Sequence, residues 1–464
     1  MRCFNIVFFS FFLFSGCGET TTQENNTTIE LPEDTTDYSN TQWYKDFNEE
    51  FFIANDIDSN AHINPENTYS RYKGSGVKIA IIDDGFDTTH YELENRIYKT
   101  INFTNSGLLS DVSHTYSNEY HGTAVAGIIA SGENKYGITG IAPNSQLILI
   151  KMSEYSSDTE TIDMFKAAVD AGADIINCSW GTGDVSSIVS QYIDTIATNG
   201  RDSKGVIVVF AAGNNNYLMD GDESALETVI GVGATDHTAL RTSYSDYGPD
   251  LDVVAPGGGD YYGDYGISTL DPIGDNGITD NDLNLYNEMR NGSEVSFIGT
   301  SAAAPIVSGA IALMLESNPN LTRVEIQTLL KSTSDKIGLN IPYLKDFDII
   351  NSQTPMFTGQ LGTSNNSDFS LRLISNEDIA YGPYSISIQG DKWSSQVTDI
   401  LPFGFYSAQL VSNEEKEEDE IFATDSYIEI NNLKEPLSNE LKNDYYGYGK
   451  INLSKLIEAS LELY

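Results

Sequence analysis

The chain has 464 residues, with 68 acidic against 25 basic side chains and a formal net charge of −43. That balance argues against nucleic acid or an anionic membrane surface as a partner, and it leaves cationic peptides electrostatically attracted. The length holds one large domain plus an extra module, and 39 glycines suit an α/β fold with many tight loops.

At the start, Met1-Arg2 precedes an apolar run from Phe4 to Phe14 that is too short to cross a bilayer but suits a secretory signal. Ser15-Gly16-Cys17 resembles a bacterial lipoprotein signal, although Phe14 departs from the usual aliphatic residue. The expectation is a signal peptide over 1–16, lipidation of Cys17, and a place in the bacterial cell envelope on the periplasmic or outer-membrane face. An ordinary signal peptide cut nearby is the alternative. Cys3 would then be removed and Cys178 left as a buried free thiol, so no intrachain disulfide is expected. Residues 17–36, rich in Thr, Asn and Glu, read as a flexible tether.

Next come segments that carry chemistry. Ile79-Ala80-Ile81-Ile82-Asp83-Asp84-Gly85 reads as a buried parallel strand ending in acid-acid-Gly, and strand ends in open α/β sheets are where sites collect. His121 opens a run of small apolar residues suited to a tightly packed helix. Asn177-Cys178-Ser179-Trp180-Gly181 and Val208-Val209-Phe210-Ala211-Ala212-Gly213-Asn214 follow, the second a buried strand ending in an amide. Gly299-Thr300-Ser301 precedes an apolar run, Ile306 to Leu315, long enough for a buried helix, and Pro305 is expected in its first turn. A serine there faces free N–H groups that favour developing negative charge. Its hydroxyl needs a base, and the base needs a buried acceptor; the chain supplies Asp83, His121 and Ser301 in that order. His62, His90, His114 and His237 lack such a context.

On these motifs the chain resembles the subtilisin-like serine peptidases, over about residues 37–340 and again over 443–463. The resemblance implies an α/β fold of three layers around a mostly parallel sheet. It implies Asp83, His121 and Ser301 as a catalytic triad and Asn214 as donor to the oxyanion. Ser179, Trp180 and Gly181 would pair with the substrate backbone and wall the first specificity pocket. The implied activity is a serine endopeptidase acting on peptides or proteins through an acyl-enzyme. Two alternatives stay open: a broad-specificity degradative enzyme, and a non-catalytic, surface-tethered binding protein on the same scaffold.

Asp83-Asp84-Gly85, Ser179-Trp180-Gly181 and Ser301-Ala302-Ala303-Ala304-Pro305 resemble the kexin/furin-type branch most. That resemblance implies a basic residue before the cut, read by Asp184 and Asp220. Asp84 would favour a second basic residue upstream, although Asn118 replaces an acid expected to support it. Asp246 falls where the branch places a calcium ligand. Structural calcium, with no catalytic metal, is implied at Glu92 and Asn134 with the carbonyls of Gly132, Tyr136 and Ile138, and Asp37 is the nearest candidate for an additional acid. Residues 18–36 are too few for the folded pro-domain that secreted members usually carry.

Toward the end, Thr322 to Leu330 has helical spacing, but the segment that usually continues it, Asp444 to Asn452, is displaced far downstream. Between them, about 341–441, Phe369-Ser370-Leu371-Arg372-Leu373 and Tyr384-Ser385-Ile386-Ser387-Ile388 alternate as strands do. The expectation is an inserted β-rich subdomain over 341–441, splitting a peptidase domain of 37–340 and 442–464. The acidic run 414–420 reads as a solvated loop. A smaller Asp- and Asn-rich insertion, 271–291, is placed to shape the cleft or bind a cation.

Overall fold

The computed structural model describes residues 37–463 apart from 94, 105–107, 117, 154, 220, 260–264, 275–276, 278–284, 287–296, 339–342, 346–348, 351–352, 361–368, 376–378, 390–391, 403, 414–420 and 431–440. The signal over 1–16, Cys17, the tether, Asp220, the acidic run and most of the 271–291 insertion therefore lie outside the described residues.

Seven strands form one parallel sheet: β1 (Lys78–Asp83), β2 (Ile97–Asn102), β3 (Gln146–Lys151), β4 (Ile175–Cys178), β5 (Ile207–Ala211), β6 (Ile230–Thr235) and β7 (Val253–Pro256). Their order is β2-β3-β1-β4-β5-β6-β7, so the direction of strand addition reverses beside β1. Apart from the edge strand β2, which carries exposed Tyr98 and Lys99, the strands are largely apolar without alternation because both faces are covered. Ile79 and Ile81 face one core with the helices α2 (His121–Ala130) and α5 (Thr300–Ser317), whereas Ala80 and Ile82 face another with α3 (Asp158–Asp170) and α4 (Ser187–Ser203). These four β1 side chains are fully buried. Each of the three isoleucines contributes about 1.5–3 kcal/mol by leaving water. The remaining helices are the short α1 (Glu49–Ala54), α6 (Arg323–Thr333) and α7 (Leu453–Glu462). Thr322 and Glu325 form a capping box that starts α6.

A ribbon of β8 (Thr269–Leu270) and β9 (Leu285–Tyr286) precedes α5. Between α6 and α7 lie β10 (Tyr343–Lys345), β11 (Ile349–Ile350), β12 (Met356–Gln360), β13 (Phe369–Ser375), β14 (Ala380–Tyr384), β15 (Ser387–Gln389), β16 (Lys392–Gln396), β17 (Gly404–Ser412), β18 (Ile421–Ile430) and β19 (Leu441–Lys442). They form two five-stranded sheets, ordered β15-β16-β12-β10-β19 and β11-β18-β17-β13-β14. Phe357, Phe369, Leu371, Leu373, Trp393 and Leu410 are in a separate core shared by these sheets. The alternating stretch 384–388 is not one strand: β14 ends at Tyr384 in one sheet and β15 begins at Ser387 in the other. Alternation alone does not show which partner each residue pairs with. The chain then returns to the first core, where Ile451, Leu453, Leu456 and Ile457 pack.

Candidate active site

The reversal of strand order beside β1 brings the ends of β1, β4 and β5 together with the N-termini of α2 and α5. Asp83, the last residue of β1, is 3% exposed. Its Oδ1 lies 2.8 Å from His121 Nδ1 and accepts the Asp84 N–H at 2.9 Å. With the proton on Nδ1, Nε2 is left as the basic nitrogen. Burial alone would push His121 down, but the Asp83 charge and hydrogen bond, helped by Asp84, hold its pKa up at about 9. Gly122 makes this approach possible, since a Cβ there would lie 2.4 Å from the Gly85 carbonyl oxygen and 3.0 Å from Asp83 Cβ.

Ser301 lies in the first turn of α5, behind Gly299, whose φ of 120° suits glycine. Pro305 belongs to the second turn rather than the first. Its missing N–H leaves the Ser301 carbonyl without its helical donor. The Ser179 hydroxyl takes that place, donating to the Ser301 carbonyl at 3.0 Å. The Ser301 hydroxyl in turn donates to the Ser179 carbonyl at 3.0 Å, and no hydrogen bond joins it to His121. Such bonds often tighten only with substrate present. Beneath this pair, Asn177 Nδ2 donates to Ser179 Oγ at 3.1 Å, and Ser308 Oγ donates to Asn177 Oδ1 at 2.8 Å. Sequence reading had no means of linking Ser308 to the nucleophile.

Asn214 is oriented by Thr300. Its Oδ1 accepts the Thr300 N–H at 2.8 Å and the Thr300 hydroxyl at 3.0 Å. The Thr300 hydroxyl itself accepts the Gly213 N–H at 3.2 Å. With Oδ1 occupied, Nδ2 is the end of the amide left to donate toward a developing oxyanion.

A cavity of about 450 Å³ adjoins Ser301, walled by Ser179, Trp180, Gly181 and Asn214. Trp180 is held by its Nε1–H, which donates to the Ile82 carbonyl at 2.8 Å, and by the edge-to-face Phe210 ring. Among the described residues two carboxylates line the cavity, Asp222 and Asp246. Asp222 Oδ1 accepts the Ser224 N–H at 2.6 Å, and its Oδ2 lies toward Gly181. Asp246, placed by resemblance at a calcium, uses Oδ1 to accept the N–H groups of Asn215 and Tyr217 at 2.9 and 2.8 Å. Burial pushes its pKa up, against those two bonds. Asp184 is exposed and does not line the cavity; the fold brings it beside Gly221, the residue after Asp220. Among so many acids, the only sequence signal that marks Asp222 is its place two residues beyond Asp220.

Glu92 is 1% exposed. Its Oε2 accepts the Asn134 side-chain N–H at 3.1 Å, while its Oε1 is buried without a hydrogen-bond partner. Burial pushes this carboxyl up to about 8. The Gly132 N–H donates to the Glu92 carbonyl at 3.0 Å, and Asn134 Oδ1 accepts the Tyr136 N–H at 3.2 Å. Ile138 is buried, and Asp37 forms a β-bridge with Gly137, against the same loop. An orphaned buried carboxylate oxygen facing an amide and a tight loop fits a hard cation. Among the described residues no three His, Cys, Asp or Glu side chains cluster around a metal position, so amide and carbonyl oxygens would have to complete the ligand set.

The profile of Peptidase S8, the subtilase family, matches residues 74–366. A calcium-dependent protease of Trichormus variabilis is 33% identical over 304 residues, which is 60% of this chain and 44% of that protein. The chain thus spans less than half the length of this relative. Subtilisin DY of Bacillus licheniformis is 30% identical over 281 residues, covering 59% of this chain and 89% of that protein. Among solved structures, a protease from Pseudoalteromonas arctica superimposes with a TM-score of 0.53 at 25% identity, covering 66% of this chain and 93% of its own. The serine protease of Aeromonas sobria gives 0.57 at 19% identity, covering 90% and 97%, a likeness of fold.

Proposed function

Because the chain belongs to the subtilase family, we propose that it is a serine endopeptidase acting through an acyl-enzyme. The observation that carries this reading is the 2.8 Å Asp83–His121 pair at the strand edge where Ser301 opens α5. Ser301 Oγ attacks the scissile carbonyl while His121 Nε2 takes its proton. The same imidazole returns that proton to the leaving amine, and Asp83 stabilises the imidazolium between the two transfers. The Asn214 amide and the Ser301 N–H hold the oxyanion. Water then repeats the sequence on the acyl-enzyme and frees Ser301. A fluorophosphonate probe tests this directly: covalent labelling of Ser301, blocked in S301A, is expected. A folded wild-type protein that takes no label would instead be a binding protein on this scaffold.

Within that activity we infer a preference for a basic residue before the cut, as in the kexin/furin-type branch. Its support is the pair of carboxylates, Asp222 and Asp246, on the cavity beside Ser301. A desolvated Lys or Arg head needs charged acceptors, and these supply them. Asp184, exposed beside Gly221, is better placed to act at the pocket rim. We also infer structural calcium at Glu92 and Asn134, with the carbonyls of Gly132, Tyr136 and Ile138 and with Asp37 nearby, supported by the orphaned Glu92 Oε1 and by the calcium-dependent protease among the relatives. When bound, the ion would tie the 132–138 loop to Glu92 and so stiffen the end of α2. Finally, we infer anchoring to the cell envelope through a lipid on Cys17, from the apolar run and Ser-Gly-Cys that open the sequence. A C17A protein released into the soluble fraction would support that anchor.

A further inference from the structure

The helix that carries His121 lacks a cap of its own. Tyr120 occupies the N-cap position of α2 and makes no side-chain cap hydrogen bond. The first amide groups of a helix need acceptors from somewhere. Here the acceptor comes from the turn after β1, where Asp84 Oδ1 accepts the Gly122 N–H at 2.9 Å. Its neighbour Asp83, at the end of β1, is bonded to the imidazole. We propose that Asp84 is the missing N-cap of α2 and that its charge sets how readily His121 gives up its proton. Asp84 is thus a positioning residue for the reaction, beyond any part it plays in reading the substrate. This role rests on the peptidase reading above.

An uncapped N-terminus would fray within its first turn, which is where His121 sits, so losing the acceptor loosens the base itself. The positive end of the helix dipole also disfavours an imidazolium, and a carboxylate at that end offsets it. The groups facing His121 are Asp83 and Asp84 from β1 and its turn and the neutral Phe297 ring 5.4 Å away; Tyr120, the residue before, senses Asp84. Asp271, after β8, reaches this cluster through its effect on Tyr120. Burial and the Asp83 charge push Asp84 up to about 7, against the pull of His121 and the Gly122 N–H.

The test separates acceptor from charge. D84N keeps an oxygen for the Gly122 N–H and removes the charge, whereas D84A removes both. Two readouts serve: the pH dependence of fluorophosphonate labelling, which involves no upstream substrate side chain, and hydrogen exchange of the Gly122 amide. In D84N the acid limb of labelling is expected to move to lower pH by about half a unit or more, with Gly122 still protected. D84A should shift the limb likewise, exchange Gly122 at least about tenfold faster, and label more slowly at its plateau. An acid limb unmoved in D84N, or Gly122 protection unchanged in D84A, overturns the proposal. Should D84A fail to fold, D84G, which also removes the acceptor, takes its place. A wild-type protein that labels at no pH would defeat the peptidase reading instead, while the exchange comparison would still decide the cap.

Discussion

The parallel sheet and the two-sheet insertion bury similar kinds of side chain but place their polar atoms differently. In the parallel sheet, β1, β4 and β5 run in one direction, so Asp83, Ser179 and Asn214 leave the core at a single edge, where α2 and α5 begin. The insertion is mostly antiparallel, so the ends of neighbouring strands are split between both edges. Of its buried tyrosines, Tyr384 donates to Asp399 at 2.7 Å and Tyr406 to the Pro402 carbonyl at 2.8 Å. Chemistry gathers where parallel strands and helix N-termini converge. The insertion has a core, Phe357 to Leu410, that sustains it as a separate packing unit.

The two regions should respond differently when each is disabled in turn. S301A and H121A should each lower kcat by about 10⁴- to 10⁶-fold, and the double variant should be little worse than either. W393A in the insertion removes a fully packed ring and should cost about 3–5 kcal/mol of local stability. Its labelling by fluorophosphonate is expected to persist. Abolished labelling in W393A, with the parallel sheet intact by circular dichroism, would make the insertion part of the catalytic unit.

A smaller effect is expected at the oxyanion. N214A should reduce kcat by about 10²- to 10³-fold with little change in KM. T300V, which removes the hydroxyl bonded to Asn214 Oδ1 but keeps the backbone bond, should lose less. If T300V matched N214A, the threonine hydroxyl would be contacting the oxyanion as well as orienting the amide.

Calcium removal should act on stability rather than on the bond-breaking step. Chelator is expected to lower Tm by several degrees, and E92Q should lower Tm in calcium and blunt the response to chelator. A wild-type Tm indifferent to chelator would remove calcium from the Glu92 loop.

The pH dependence follows from His121, whose pKa is raised from its ordinary 6.5 to about 9. The base must be neutral, so kcat/KM should climb through alkaline pH toward that value. Stability has the opposite sign. A histidine raised on folding contributes fully below about 6.5, and that contribution is lost as pH rises through about 9. In H121N the fall in Tm over that range should be shallower. A labelling profile already flat at neutral pH would show that Asp83 and Asp84 perturb the imidazole less than their geometry implies.

Much of this was legible in the sequence, and the reason is local. Apolar runs ending in Asp83 and Asn214 report strands covered on both faces, His121 opens one helix and Ser301 sits in the first turn of another; no long-range pairing is needed to read them. The rest depended on contacts between distant segments. Pro305 belongs to a later turn than expected because the helix begins at Thr300, and its effect on Ser301 shows only once Ser179 is in place. The stretch 384–388 looks like one strand because alternation is blind to the partner sheet. Among 68 acids, sequence alone could not separate Asp222 from Asp184, since burial is decided by how the 181–185 and 221–224 segments meet.

That last distinction yields the smallest expected effect and the finest test of the site. Asp246 holds the 215–217 backbone through two hydrogen bonds, so D246N should weaken turnover of every substrate by disturbing the loop next to Asn214. Asp222 is the cleaner probe. Its Oδ1 is bonded to Ser224, and D222N can keep that acceptor while removing charge from the cavity. A hydrogen bond to a charged group contributes about 1.5–3 kcal/mol when well desolvated, and Asp222 is only half-buried, so the low end applies. The expectation is a loss of about tenfold in kcat/KM for a peptide with Arg before the cut, against little change for a matched Leu peptide. D184N should alter that ratio less, because Asp184 stands outside the cavity in solvent. Equal losses on Arg and Leu would mean that Asp222 shapes the pocket without reading charge. The enzyme would then be a broad degradative subtilase, its acids serving the surface and not the cleft.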